Sequence, residues 1–390
     1  MPRPTHCSNR FCRHATGGDG GWLIRYGHYS SAAHGVTQRY RCSGCGTTLS
    51  DQTESLHYYA KRHVPFHAIW LSLTSGSSQS AIASRYRLSL QAVHNAVIRL
   101  GRQAIAGQAR LLQQMNAVHT VVMDGLRSFV TSQDYPCDLS MIIESDGETI
   151  LSIEHAIMRR GGRMREYQRR RVRRKMQRWQ PQRGHYRQGI SLLLDELWNY
   201  LRPPCSTRPA VLCSDMLGVY AARVSEDPVC RHFGSLRLFE HRRISSRAPR
   251  TRENPLFPAN YVDLLLRHRM KEHTRQTIAF ARNAVSQMHR AWIFAWDHNV
   301  MKPHRVRRPG GGPHAAQAVT TQQSAERIRR QTFTRRIDLC GVTVPKTLRR
   351  VWMHRIATPP HRWRAGQTGT NVHLPAFARQ DLMRSHQQAC

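Results

Sequence analysis

The sequence predicts a multidomain chain of mixed α+β and α/β class, on three observations. Four of its cysteines cluster near the N-terminus in two close pairs. Residues 55–115 repeat apolar side chains at helical spacing. From residue 116, short apolar runs bounded by glycine or Asp-Gly turns give way to helical stretches. The expected units are a cysteine-based ribbon over 1–54, a helical unit over 55–115 and a mixed-sheet unit over 116–300. The last carries a basic insertion near 158–188, and a basic, loosely ordered region over 301–390 follows it.

Composition narrows the function classes. The chain has 390 residues, of which 40% are hydrophobic, enough for a sizeable core. Sixty Lys and Arg stand against 24 Asp and Glu, a net charge of +36. A compact chain with that imbalance repels itself unless a polyanion accepts the charge. Nucleic acid comes first, because Lys and Arg on phosphates release condensed counterions; an anionic membrane surface comes second. Lysine occurs only at 61, 175, 271, 302 and 346, and the rest are arginine, whose fork suits phosphates and guanine edges. A GC-rich coding sequence would also favour arginine over lysine, but it leaves the net charge unexplained. No apolar run approaches the ~20 residues of a membrane span, and the N-terminus lacks a secretory apolar core. The expected setting is the cytoplasm, with no membrane partner.

Cys7 and Cys12 form a C-x4-C pair, and Cys42 and Cys45 form C-x2-C within Arg-Cys-Ser-Gly-Cys-Gly. Two such knuckles suit four thiolates on one tetrahedral Zn2+ in a structural role, since a four-thiolate site leaves no open position. Gly44 and Gly46 let backbone N–H groups approach the sulfurs, and Val36 to Tyr40 reads as the strand entering the second knuckle. His6 and His14 are substitute ligands if Cys7 or Cys12 faces away. The remaining six cysteines are scattered, as expected of reduced thiols.

Ser78 to Tyr86 reads as a helix, Arg87-Leu88-Ser89 as a turn, and Ser89 as the N-cap of a second helix from Leu90. Leu90, Val93, Val97 and Leu100 would pack inward, leaving Gln91, His94, Asn95, Arg99 and Arg102 on other faces. This is the pattern of a helix-turn-helix whose second helix offers amides and guanidinium groups to DNA. The plainer reading is a helical hairpin with a solvated polar face.

In a chain short of carboxylates, Asp124 closes the apolar run Val121-Val122-Met123 and precedes Gly125. Asp215 closes Val211-Leu212-Cys213-Ser214 before helical sequence. Two aspartates at the ends of adjacent core strands can hold Mg2+ for phosphodiester chemistry; alternatively each only caps a turn. An amphipathic helix is expected over Val262 to Met288, continuing toward Trp296. The block from Arg159 to Arg178 reads as a phosphate clamp or as a solvated basic loop, and Trp179 as packing.

In order along the chain, these stretches resemble the bacterial insertion-sequence transposases of the DDE class. The resemblance rests on Gln38-Arg-Tyr-Arg-Cys42-Ser-Gly-Cys45-Gly, Val121-Val-Met-Asp124-Gly-Leu-Arg-Ser-Phe129 and Met158-Arg-Arg-Gly-Gly-Arg-Met164. Ser214-Asp215, Asn254-Pro-Leu-Phe-Pro258 and Arg275-Gln-Thr-Ile-Ala-Phe280 complete it, and it covers roughly residues 1–300. It implies an RNase H-like catalytic domain and a bacterial, nucleoid-associated protein that binds the double-stranded terminal repeats of an insertion sequence. It further implies Mg2+-dependent strand cleavage, with Mn2+ able to substitute, and strand transfer into target DNA by at least a homodimer. Asp124 and Asp215 would be two of the three catalytic acids. Where the family carries a glutamate after the arginine, this chain has Gln276; Glu272, four residues earlier and hence on the same helical face, is the expected third acid. Asp263 and Glu253 are further acids that the resemblance does not single out. The alternative is a catalytically inactive or domesticated relative that binds specific DNA as a regulator.

Overall fold

The computed structural model describes residues 3–9, 11–58, 60–201, 208–275, 277–302, 322–337 and 345–348. The N-terminal unit is a three-stranded antiparallel sheet of β1 (Leu23–Ser31), β2 (Gly35–Cys42) and β3 (Thr48–Ser50). Gly35, at φ 64°, closes the β1–β2 hairpin in a conformation that favours glycine. Its core is only Trp22, Leu23, Tyr40 and Leu49 around three of the cysteines, too few apolar groups to hold a unit of this size alone.

Three helices follow: α1 (Phe66–Thr74), α2 (Gln79–Arg85) and α3 (Leu90–Gln114). Ser78 and Ser89 cap the last two as expected, their hydroxyls accepting from the backbone N–H of Ala81 (3.2 Å) and Ala92 (3.1 Å). Val93, Val97 and Leu100 are buried, but Leu90, expected inward, is 56% exposed. It is the first residue of the helix, where no preceding turn covers it.

The expected boundary at residue 115 does not separate two cores. α3 has 25 residues, and from Leu100 to Ala109 every one is buried. Its second half is therefore the axis of the central domain. The central sheet has the order β6-β5-β4-β7-β8. β4 (Thr120–Phe129), β5 (Pro136–Glu144) and β6 (Ile150–Ile157) form an antiparallel meander. β7 (Ala210–Asp215) joins parallel to β4, and β8 (Phe239–Ile244) parallel to β7. Strand alternation assigns Val122 and Leu126 to one core and Val121 and Met123 to the other. The second core is built with α5 (His185–Leu197), α6 (Gly218–Glu226) and α7 (Pro228–Ser235).

α3 packs on the first face beside α8 (Phe257–Arg269) and α9 (Ala284–Trp296). The single helix expected from Val262 to Met288 is therefore two helices. Met270 is extended, Lys271–His273 form a 3-10 turn, and Asn283 starts α9 by accepting from Ser286 N–H at 2.6 Å. Asp297 ties the ends together, accepting from Trp70 Nε1 at 3.0 Å and pairing with Arg269 at 2.7 Å.

The basic insertion is not a loop in its centre: Glu166–Arg178 forms α4, none of whose residues is buried. Nor is the described part of 301–390 loosely ordered. α10 (Gln322–Thr334) places Ile328 and Thr332 in the core, and Trp296 Nε1 donates to Thr332 Oγ1 at 3.2 Å. Gln103 joins it by donating to Arg335 O (2.6 Å) and accepting from Ile337 N–H (3.0 Å). No described helix is long and apolar enough to cross a membrane.

Two glycines let α3 and α9 approach. A Cβ on Gly101 would stand 2.5 Å from His289 Cβ and 2.9 Å from its Cα, and one on Gly107 would stand 2.6 Å from the Trp296 ring. Backbone cannot yield as a flexible side chain does, and valine recovers only a few tenths of a kcal/mol in helix propensity. Gly101→Val should therefore lower unfolding free energy by about 1–3 kcal/mol in urea titration. A variant as stable as the parent would show that the contact relaxes freely.

Candidate metal centre and carboxylate site

The four cysteine sulfurs Cys7, Cys12, Cys42 and Cys45 all lie within 4.8 Å of one another. Cys7 and Cys45 sulfurs are 3.4 Å apart and those of Cys12 and Cys42 3.5 Å. Zinc at ~2.3 Å from four sulfurs requires edges of about 3.8 Å, so the set can hold one ion such as zinc. The N–H groups of Asn9 and His14 point at the sulfurs of Cys7 and Cys12. Burial pushes the Cys7 thiol up, whereas the hydroxyl of Thr47, then its backbone, pulls Cys45 down to about 6. The substitute ligands are engaged elsewhere: His6 pairs with Glu54 at 3.2 Å and His14 stacks on Trp22 at 5.4 Å.

On α3, Gln91 and Asn95 are exposed and hydrogen-bond to each other at 3.0 Å. His94 is half-buried, and burial lowers its pKa. Two expected DNA contacts are corrected. Arg102 is 2% exposed, inside the core where α3 enters the central domain, and cannot reach a groove. Arg99 donates to the carbonyls of Leu56 (2.7 Å) and Tyr58 (2.8 Å), fixing the preceding loop.

Asp124 and Asp215 come together. The parallel register that pairs Met123 with Ser214 sets these two at the same level on adjacent strands: Asp215 at the carboxyl end of β7, where open α/β sheets bind ligands, and Asp124 midway along β4, which runs on through Gly125 and does not turn there. Burial raises Asp124 to about 6, helped by repulsion from Asp215 and Asp138. Its Oδ1 accepts from Gly125 N–H and that of Asp215 from Leu217 N–H, both at 2.8 Å.

Glu272 does not join them. In the turn after α8 it is 5% exposed and ion-paired with Arg290 of α9. The helix break removes the geometry that would have aimed it at the aspartates. Gln276 lies outside the described residues. The acid that approaches is Asp263 on α8. Burial, then repulsion from Asp124, raises its carboxyl to about 8. Among the described residues its buried Oδ1 meets no hydrogen-bond partner. Asp138 on β5, not singled out by the sequence reading, lies on the opposite face beside Gly125, where any Cβ would collide with its carboxylate. It accepts from Ser140 at 2.5 Å and pairs with Arg127 at 3.0 Å; burial still raises it to about 6. The signal for it is an aspartate just ahead of the apolar run from Leu139; in the sheet it stands opposite Arg127 and diagonal to Gly125. Among the described residues only the cysteines bring three ligand atoms within 4.8 Å, so the carboxylates are more widely spaced.

Two basic cavities meet at Gln133, beyond the far end of β4. One, of about 320 Å³, is lined by Arg127, Arg267 and Arg275; the other, of about 460 Å³, by Arg171, Arg174, Lys175 and Arg178. Asp134 anchors the second. Burial disfavours its charge, but Arg171, Lys175 and Arg160 outweigh that and hold it at about 2. The contacts are 2.8 Å from Arg171 and Lys175 and 2.7 Å from Arg160. Trp179 packs edge-on against Tyr135 at 5.5 Å.

No family model matches the chain, and no curated protein matches it.

An acid whose pKa rises on folding stabilises the fold at low pH, and that stabilisation is lost as pH rises through the folded value. Asp124 and Asp138, raised to about 6, and Asp263, raised to about 8, should therefore cost the protein thermal stability between pH 4 and 8 in magnesium-free buffer. Asp263→Asn should remove the part of that loss above pH 6. An unchanged pH profile in the variant would detach Asp263 from the repelling group.

Proposed function

We propose that this protein is a DNA transposase of the DDE class, with an RNase H-like catalytic domain, that binds the ends of an insertion sequence and carries out metal-dependent strand cleavage and transfer. The observation that carries the reading is the parallel register placing Asp124 of β4 beside Asp215 at the carboxyl end of β7. The meander extended by two parallel strands supports the domain assignment. The cysteine ribbon and the exposed Gln91 and Asn95 of α3 support recognition of double-stranded terminal repeats.

Asp124, Asp215 and Asp263 would hold Mg2+ or Mn2+. Their mutual repulsion, and the orphaned Oδ1 of Asp263, fit an acid set built for cations. Two ions about 4 Å apart is the arrangement such acids would serve in phosphodiester chemistry. Bound there, the metal would activate the attacking oxygen and stabilise the leaving oxygen of the phosphodiester. Around it, Arg127, Arg267 and Arg275 present guanidinium groups to phosphates flanking the scissile one, and Arg174 and Arg178 continue that positive surface onto α4. Strand transfer joins two element ends to a target, so the working form is a homodimer or larger. The engagement of Glu272 by Arg290 favours a second reading, a DNA-binding regulator that has lost cleavage.

Supercoiled plasmid incubated with the full chain and Mn2+ separates these. Nicking by the parent that disappears in Asp124→Ala and Asp215→Ala supports the enzyme. No cleavage with either metal, or equal cleavage by the variants, overturns it. DNA affinity tests the basic surface independently. Removing one phosphate-neutralising side chain should flatten the slope of log K against log salt by ~0.9. Arg174→Ala with Arg178→Ala should therefore reduce it by nearly two, read by fluorescence anisotropy. An unchanged slope removes α4 from the interface.

A further inference from the structure

The stretch Asn254-Pro-Leu-Phe-Pro258 closes a connection that the topology leads past the carboxylates. β8 lies at the edge of the sheet, two strands from β4, whereas α8 packs on β4 and β5. Residues 245–256, which join β8 to α8, must therefore pass over β7, the strand that ends in Asp215. The register sets Ile244, the last residue of β8, opposite Asp215 itself. Both ends of the connection, Ile244 and Leu256, pack into the core of the first face. Alternation along β4 and β7 places Asp124 and Asp215 on that same face.

Three arginines of this connection are exposed: Arg247, Arg250 and Arg252. Burial raises the carboxyls of Asp124 and Asp263, and the charge of Arg250 pulls both the other way. The charge of Arg252 is felt instead by Glu253 and Tyr261. Arg250 is thus beside the acids, yet among the described residues its guanidinium forms no hydrogen bond or ion pair. What is held is its backbone. Asn254, 9% exposed, donates from Nδ2 to Pro249 O at 2.7 Å and accepts from Leu256 N–H at 2.9 Å. Two turns brace the rest, with Ala248 N–H on Ser245 O (3.0 Å) and Asn254 N–H on Thr251 O (3.2 Å). A chain tied at the peptide before Arg250 aims the side chain without engaging its donors, as preorganised stabilisation of a reacting group requires.

A guanidinium beside acids that hold cations is repelled by those ions unless an anion lies between them. A phosphodiester is such an anion, and the arginine fork matches two of its oxygens. We propose that Arg250 is a further catalytic residue, held over the carboxylates by Asn254 to grip the phosphate under attack. This rests on the reading of Asp124, Asp215 and Asp263 as a metal-dependent phosphodiester site. Arg250 forms and breaks no covalent bond. It neutralises the charge that grows on the phosphate oxygens, and Asn254 is a positioning residue that acts through it.

The test uses the zinc-loaded full chain and Mn2+, with free Mn2+ read by electron paramagnetic resonance. Without DNA, Arg250→Ala should bind Mn2+ at least as tightly as the parent, because a repelling charge is gone. On supercoiled plasmid at saturating Mn2+, its nicking rate should fall about tenfold or more, and Arg250→Lys should recover part of that loss. Asn254→Ala should slow nicking without weakening Mn2+ binding. Weaker Mn2+ binding by Arg250→Ala, or nicking at the parent's rate, overturns the assignment. A parent that binds Mn2+ without nicking refutes cleavage separately. A short DNA duplex must then still tighten Mn2+ binding more in the parent than in Arg250→Ala, and equal gains overturn the role of Arg250.

Discussion

Carboxylates are the scarce component of this molecule, and the fold is organised around where each one goes. With 24 acids among 60 bases, an acid is rarely left to water and often gathers several donors. Asp134 collects Arg160, Arg171 and Lys175 and so fastens α4 to the β4–β5 hairpin. Glu54 collects His6 and Arg335, joining the ribbon to the segment after α10. Asp297 binds Trp70 and Arg269, locking α1 and α8 to the end of α9. Because each pair is partly or wholly removed from water, deleting one partner would strand a buried charge, a larger loss than the pair's net contribution. Against this background Asp124, Asp215 and Asp263 stand out: among the described residues they form no ion pair although arginine surrounds them. Acids held together without a base maintain a negative potential in a positive molecule, which is the electrostatic requirement for drawing in a cation.

The second organising element is α3. A helix that is half exposed surface and half buried axis ties its exposed turns to the core mechanically. Its exposed N-terminal turns carry Gln91 and Asn95, while Gly101 and Gly107 admit α9 against its buried turns. α9 in turn supplies Arg290 to Glu272 and Gln287 to His155, the latter at 2.8 Å. A ligand gripping the first turns of α3 is therefore connected to the sheet through packed side chains and not through a flexible linker. This is why residues 55–115 share one apolar core with the sheet instead of forming a separate domain.

Local signals are legible in the sequence because their physics is local. The serine caps at 78 and 89, the two apolar runs that become β4 and β7 and the two cysteine knuckles each depend on a few consecutive residues. The failures share one cause: exposure and partner choice are tertiary. Arg102 falls on a polar face by helical count, yet that face turns into the core where α3 meets α9. Asp138 escapes notice because the apolar signal of its strand begins one residue later, at Leu139. The tail looks loose by composition, but Ile328, Thr332 and Ile337 find a groove on α3 that no composition reveals.

Glu272 is the most instructive case. Its assignment rests on one continuous helix, in which i and i+4 share a face. The apolar periodicity across 262–288 does run on, but Asn283 with Ser286 is an N-cap pairing that marks a new start. Once the helix breaks, Glu272 is carried beneath α9 to Arg290, while Asp263, one helix earlier, remains facing β4. An acid's place in the sequence order of a motif is a weaker guide than the electrostatic company it keeps. Glu272 has Arg290 beside it and is neutralised by it; Asp263 has Asp124 and Asp138 beside it and, among the described residues, no ion pair. Of the two, only the second has a reason to bind a metal ion.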